Sequence, residues 1–292
     1  MMDRRALLIG AGALSVAACK SAAAPAKTIA TMALDLSNVE QRFGGRMGFA
    51  FASDEVRGGW RGDERFVYCS TFKMYLAAAM FVRAQKGLDD LERMIPVTRA
   101  DMISHAPITE KAVGRSLSLK ALMKGTVEES DNPAANILLR EMGGLAAMQQ
   151  FYRDLGDETT RVDRFEPEMN RLDGDKDTIV PTQSVQNIQR LFLSGETPLD
   201  TASKATLLQW MRDTPTGAER IKAGAPSDWI VAHKTGTGGY GPTNDIGIIY
   251  PAQGTPIAVA AYFHGTLQSS PEQREAAIAE ATRKMLVALG HG

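Results

Sequence analysis

Cys69-Ser70-Thr71-Phe72-Lys73 runs straight into Met74 to Val82, a stretch apolar almost all round that reads as a helix buried between other elements. A lysine at the head of such a helix is out of place unless it serves chemistry. Residues i and i+3 share a helix face, so the Lys73 amine can come within reach of the Ser70 hydroxyl. Burial lowers an amine's pKa toward a value at which it accepts a proton, which would activate the serine as a nucleophile. Backbone N–H groups left free at a helix start can stabilise an oxyanion beside it. The plain alternative is an N-cap serine followed by a lysine that runs out to solvent. With 15 Ser and 12 Lys, roughly 0.6 copies of Ser-x-x-Lys arise by chance, so this pair alone decides nothing.

Two further groups change the balance. Ser130-Asp131-Asn132 precedes Pro133 and a helical pattern, so three polar side chains fall at a loop-to-helix boundary where they can face a cleft. Lys234-Thr235-Gly236-Thr237-Gly238-Gly239 follows the apolar run Trp229 to His233, putting a cation and hydroxyls on a strand whose glycines let a ligand approach the backbone. An N-cap cluster and an edge-strand lysine are the plain readings of these two. Chance gives roughly 0.02 and 0.08 copies of the two tripeptides, so the three together carry weight that none has alone. Glu166 and Asn170 sit in a polar loop where, without the other motifs, two acidic residues and a proline would read as a solvated turn. His105, His233, His264 and His291 show no metal-ligand spacing, and neither a metal nor a cofactor is expected.

The elements that must hold these residues follow from periodicity. Arg46 to Ala52 and Arg65 to Tyr68 are β-tolerant and separated by Gly58, Gly59 and Gly62, which predicts an early hairpin. Trp229 to His233, Asp245 to Tyr250 and Pro256 to His264 predict strands near the other end, and Pro271 to Leu289 a long amphipathic helix. Between them, Ser70 to Gln85, Ser118 to Gly125, Pro133 to Met142, Leu145 to Leu155 and Thr182 to Leu193 carry helical spacing. The expected class is α+β, an antiparallel sheet built from both chain ends and flanked by helices, with a mostly helical lobe inserted between the strands.

In this order, Ser70-x-x-Lys73, Ser130-Asp131-Asn132 and Lys234-Thr235-Gly236 resemble the active-site set of the serine β-lactamases and penicillin-binding proteins. Arg164-Phe165-Glu166-Pro167-Glu168-Met169-Asn170 resembles the Glu-x-x-x-Asn segment of class A β-lactamases, on a loop closed by Arg164 and Asp177 and about two residues shorter than is common there. Trp60 to Phe66 and Thr243 to Ile246 are further echoes, and the likeness spans residues 35 to 290. It implies one β-lactamase domain over 27–292, with an α/β lobe of 27–60 and 213–292 and a helical lobe of 61–212. The implied activity is hydrolysis of penicillins and cephalosporins through a serine acyl-enzyme, conferring antibiotic resistance.

Carried over residue by residue, Ser70 attacks the lactam carbonyl, with Lys73, or Glu166 through a water, as the base. Backbone N–H groups of Ser70 and Thr237 form the oxyanion hole, and Ser130 passes a proton to the departing nitrogen. Lys234 holds Ser130 and attracts the substrate carboxylate, which Thr235 and Thr237 bind along the Gly236 strand. Asn132 meets the acyl side-chain amide, and Glu166 with Asn170 holds the water that releases the product. Many relatives carry an arginine at the place of Asn244, so the carboxylate is expected to meet Arg220 or Arg274 instead. His105 matches the position of an aromatic at the cleft mouth, and Gly238 removes the disulfide that some relatives make to the Cys69 position. His233 replaces an acidic residue, which predicts pH-dependent activity that a flat profile from about pH 5.5 to 8 would refute. The same motifs would serve a D-alanyl-D-alanine peptidase or a β-lactam sensor that stays acylated, and more distantly a glutaminase of related fold. Glu166 and Asn170 favour the hydrolase.

Composition sets outer bounds. The chain is 44% hydrophobic and 23% charged with a formal net charge of −1 and no long basic run, so a nucleic-acid partner is not expected. Arg4 and Arg5 ahead of the apolar run Ala6 to Ala18 have the layout of an export signal over residues 1–26 and resemble a twin-arginine signal. Val16-Ala17-Ala18-Cys19 resembles a lipoprotein box that would acylate Cys19, and Ala24-Pro25-Ala26 a signal-peptidase site. The expectation is an exported monomer, periplasmic or lipid-anchored at the bacterial envelope, with no membrane span and a small-molecule β-lactam as its partner.

Overall fold

The computed structural model describes residues 29–239 and 241–291, so the expected export signal, with Arg4, Arg5, Cys19 and the Ala24-Pro25-Ala26 site, lies outside the described residues. The strands are β1 (Ala30–Ala33), β2 (Gly45–Ala52), β3 (Val56–Trp60), β4 (Phe66–Val67), β5 (Met94–Pro96), β6 (Ser116–Ser118), β7 (Thr178–Ile179), β8 (Ile230–Thr237), β9 (Pro242–Tyr250) and β10 (Ile257–Gly265). The helices are α1 (Ser37–Phe43), α2 (Phe72–Gln85), α3 (Leu119–Glu128), α4 (Asn132–Glu141), α5 (Leu145–Asp154), α6 (Pro181–Ile188), α7 (Thr201–Asp213), α8 (Ile221–Gly224) and α9 (Pro271–Ala288).

A six-stranded sheet in the order β1-β3-β2-β10-β9-β8 joins the two ends of the chain, as the alternating patterns predict. Its pairs are antiparallel except β1 with β3, which run parallel. Strand β10 shows why the sheet is buried on both faces. Ala258, Ala260 and Tyr262 enter the core shared with α2, while Val259, Ala261 and Phe263 enter the core under α9. Alternate side chains of a strand point to opposite faces, so a continuous apolar run serves two layers. Helix α9 begins at a Ser270 N-cap with a Gln273 capping box and Pro271 in its first turn.

The early hairpin differs from expectation. Strand β2 turns back into β3, and Gly58 and Gly59 lie inside that strand, where a Cβ would come within 2.3 Å of the Met32 and Phe49 carbonyls. Phe66–Val67 instead pairs with Thr178–Ile179. The glycines read as turn residues are there because neighbouring strands approach too closely for a side chain. The helix expected over Thr182 to Leu193 is α-helical to Ile188 and continues as a π-turn, Gln189–Leu193. Helix α2 matches its prediction: Phe72 through Phe81 are all at most 3% exposed, Lys73 among them.

Candidate active site

Ser70 sits in a single 3-10 turn, Cys69–Thr71, that feeds α2. Cys69 has φ +49, a left-handed conformation costly for a residue with a side chain, and it lifts Ser70 out of the helix line. Strand β8 lies directly against this turn. A Cβ on Gly236 would meet the Tyr68 carbonyl at 2.7 Å and Thr71 N at 3.0 Å, so only glycine allows the approach. β8 is also the sheet's open edge. Gly238 N donates to Pro242 O at 2.9 Å, so the alternation of the antiparallel ladder turns the N–H of Thr237 away from β9 and off that edge.

The charged centre is assembled from four segments. The Ser70 hydroxyl donates to Glu166 Oε1 at 3.2 Å, and Lys73 Nζ reaches the same oxygen at 3.2 Å. Lys73 further donates to Ser130 O at 2.7 Å and Asn132 Oδ1 at 2.5 Å. The i,i+3 spacing therefore brings serine and lysine together through Glu166, with no direct hydrogen bond between them among the described residues. Both side chains of the Lys73–Glu166 pair are wholly buried, a setting in which neither charge is tolerable without the other. Burial pushes the Lys73 amine below its ordinary value, against the pull of the Glu166 carboxylate. Lys234 Nζ donates to Ser130 Oγ at 3.1 Å, and its pKa is driven well down by burial and then by the charge of Lys73.

Local geometry explains how loops can hold such a centre. Ser130 takes φ +57, and the Asp131 carboxylate beside it caps α4 through Ala134 N at 2.8 Å and grips the amides of Ile108 and Thr109 at 2.9 Å. Glu166 precedes a cis peptide to Pro167. Its main chain is clasped by Asn136, which donates to Glu166 O at 2.8 Å and accepts from Glu166 N at 3.0 Å. Asn170 Nδ2 donates to Glu166 Oε2 at 2.5 Å, and the Arg164–Asp177 ion pair at 2.5 Å closes the loop as the spacing suggested. Sequence reasoning passed over Asn136. Its signal is its place one helical turn beyond Asn132, on the same face of α4.

The substrate-side residues divide. Asn132, Asn170 and Thr237 line a cleft of about 460 Å³ with Ser104 and Arg171. Arg220 Nη2 donates to Thr237 Oγ1 at 2.8 Å, whereas Arg274 packs against Gly265, so Arg220 is the arginine at this strand. Thr235 Oγ1 shares a hydrogen bond with Thr216 Oγ1 at 2.8 Å. Asn244 proves to belong to the other face: Thr237 stands across from Thr243, and the Asn244 amide donates to the carbonyls of Val67 and Tyr68. His105, at φ +61, gives its carbonyl to Asn132 N at 3.0 Å while its exposed ring meets Glu129 O at 2.9 Å. Cys69 is a free thiol, and Gly238 lies beside its sulfur, with no other cysteine among the described residues.

Comparison with known proteins places this arrangement. Residues 31–289 match the model of a family described as "Beta-lactamase enzyme family". A β-lactamase of Citrobacter koseri is 37% identical over 244 residues, 82% of this chain and 82% of that one. The β-lactamase CTX-M-8 of Citrobacter amalonaticus is 37% identical over 257 residues, 87% of this chain and 84% of that one. Among solved structures, an ancestral class A β-lactamase superposes with TM-score 0.83 at 41% identity, covering 87% of this chain and 98% of the other. A β-lactamase from Xanthomonas campestris gives 0.84 at 37% identity, covering 87% and 96%.

Proposed function

The chain belongs to the class A β-lactamases, hydrolysing the β-lactam ring and conferring resistance, and from that premise we propose how its own residues divide the work. Ser70 is the nucleophile. Its proton passes to Glu166, whose carboxylate already accepts the hydroxyl, with Lys73 Nζ paired to the same oxygen at 3.2 Å. The lactam oxygen is received by the N–H groups of Ser70 and Thr237, worth roughly 3 kcal/mol per donor in comparable sites. Ser130 gives its proton to the lactam nitrogen and is resupplied by Lys73, which takes up the proton left on Glu166, while Lys234 holds the hydroxyl from the other side. Thr235, Thr237 and Arg220 take the substrate carboxylate along the Gly236 strand, and Asn132 takes the acyl amide. The cleft lies where the sheet lobe meets the inserted helical lobe.

One observation carries the reading of a hydrolase: Glu166 touches Ser70 with one oxygen and Asn170 with the other. A water bound by that pair sits beside the acylated serine, which is what deacylation needs and what a peptidase trapped by β-lactams lacks. Glu166→Ala is expected to form an adduct on Ser70 with penicillin that persists in the mass spectrum while nitrocefin turnover falls by at least about 1000-fold. A stable adduct already on the wild type would move the reading to a penicillin-binding protein or sensor.

Among the described residues no helix is long and apolar enough to cross a membrane. The chain is proposed to act as an exported monomer whose leader ends either at Ala26 or at an acylated Cys19, which the mass of the mature N-terminus distinguishes.

A further inference from the structure

His233 stands next to Lys234 in sequence, yet the division of work above leaves it without a part. Its side chain is 2% exposed, and that of Asp245, across the β8–β9 ladder, is fully buried. The His233 Nδ1 lies 3.0 and 2.9 Å from the two Asp245 carboxylate oxygens, and Oδ2 also accepts the Ile221 amide at 3.2 Å. An amide can only donate, so Asp245 serves as an acceptor there and the hydrogen toward the ring is carried on Nδ1. Ile221 follows Arg220 and opens α8, so this carboxylate fixes the main chain at the arginine.

The side chain of Arg220 is held from elsewhere. It pairs with Glu275 at 3.0 Å, donates to Asn244 O at 2.8 Å and ends on Thr237 Oγ1. The turn before it rests on the same histidine: Gly217, at φ +74, passes so close that a Cβ would come 3.2 Å from His233 Cε1, and Arg220 N donates to Gly217 O at 3.1 Å. The charged groups around the pair are Lys234 on its own strand, Arg220 from the turn and Glu275 of α9 behind that arginine.

We propose that the buried His233–Asp245 pair is a positioning unit for Arg220, setting affinity for the substrate carboxylate without touching the substrate. This rests on the reading of Arg220 as a carboxylate anchor. Losing one donor to a buried carboxylate loosens the start of α8, and an arginine displaced there binds the carboxylate less well in ground and transition state alike. The effect belongs in KM and leaves kcat in place.

The test compares benzylpenicillin with an ester of its carboxylate. His233→Leu is expected to raise KM for the acid about tenfold, keep kcat within about twofold and leave the ester unaffected. His233→Asn, which keeps a side-chain N–H near the Nδ1 position, returns KM to the wild-type value. Asp245→Asn keeps the shape and removes the charge, and it carries the same expected split if the leucine variant does not fold. Arg220→Gln separates the two ideas. An unchanged KM in that variant overturns the anchor reading itself. A raised KM there, with no change in the His233 and Asp245 variants, overturns the proposal alone. A rise shared by acid and ester also overturns it, since that marks a general disturbance of the cleft.

Discussion

Lys73 and Lys234 flank the Ser130 hydroxyl at 3.4 and 3.1 Å, two amines that the fold removes entirely from water. Burial pushes both amines down, and for Lys234 the charge of Lys73 adds to it, so both lose their protons more easily than a free lysine. For Lys73 the Glu166 carboxylate opposes that trend. Removing it in Glu166→Ala takes away the largest charge opposing burial and lowers the Lys73 value further, while Lys73 becomes the remaining base beside Ser70. In that variant the rate of acyl-enzyme formation is expected to rise with pH, because the deprotonated amine is the active form. The midpoint should lie below the ordinary lysine range, read by stopped-flow from about pH 6 to 10. A further Lys73→Met change should cost at least about 100-fold more in acylation. Spacing alone revealed the Ser70 and Lys73 pairing, since i and i+3 share a face. It could not reveal that the two meet on Glu166, because that carboxylate arrives from a loop 96 residues further along the chain.

Among the elements, strand β8 decides how the centre is aligned. It must lie flat against the turn of Ser70, and Gly236 is the residue that lets it. Gly236→Ala forces a methyl group against the Tyr68 carbonyl and the Thr71 amide, both main-chain atoms that cannot swing aside. The expected result is a loss of about 1–3 kcal/mol in stability by thermal melting. A fall of roughly 100-fold in kcat/KM should accompany it, since the oxyanion N–H of Thr237 rides on the same strand. Elements with a strong period were legible: the strands β8, β9 and β10, helix α2 and helix α9 all lie where alternation or helical spacing puts them. Helix α7 was passed over although Asp200 caps it and Leu207, Trp210 and Met211 form its buried face, because most of its other side chains are small or polar. The early hairpin was misread for a physical reason. Glycine marks a turn and a close strand-to-strand approach with the same letter, and Gly58 and Gly59 are the second kind.

At the scale of the whole molecule, stability is tied to acidity through His264 on β10. Its ring meets Phe66 edge-on at 5.0 Å, and burial, helped by the charge of Arg46, pushes the imidazole down to about 4. Near pH 7 the folded and unfolded chains both carry it neutral. Between about pH 6.5 and pH 4 the unfolded chain takes up a proton that the folded one refuses, so stability falls as pH is lowered, by ~3 kcal/mol across the window, and levels off below it. The gap between wild-type and His264→Phe melting temperatures should change over that range and stay constant above it. The overall class and the strands from both chain ends were visible in the sequence, since burial on both faces writes long apolar runs. The sheet order carries a consequence in time. Strand β2 pairs with β10, Phe51 against Val259, so the centre of the sheet is closed by a segment made long after its partner. At about 5–20 residues per second, roughly 10–40 s pass between synthesis of the two strands. A chain halted after Tyr250 would already contain Ser70, Lys73, Ser130, Glu166 and Lys234, yet have no middle strand to bring them into register. The chemistry therefore waits on β10, whose arrival sets the clock for the whole site.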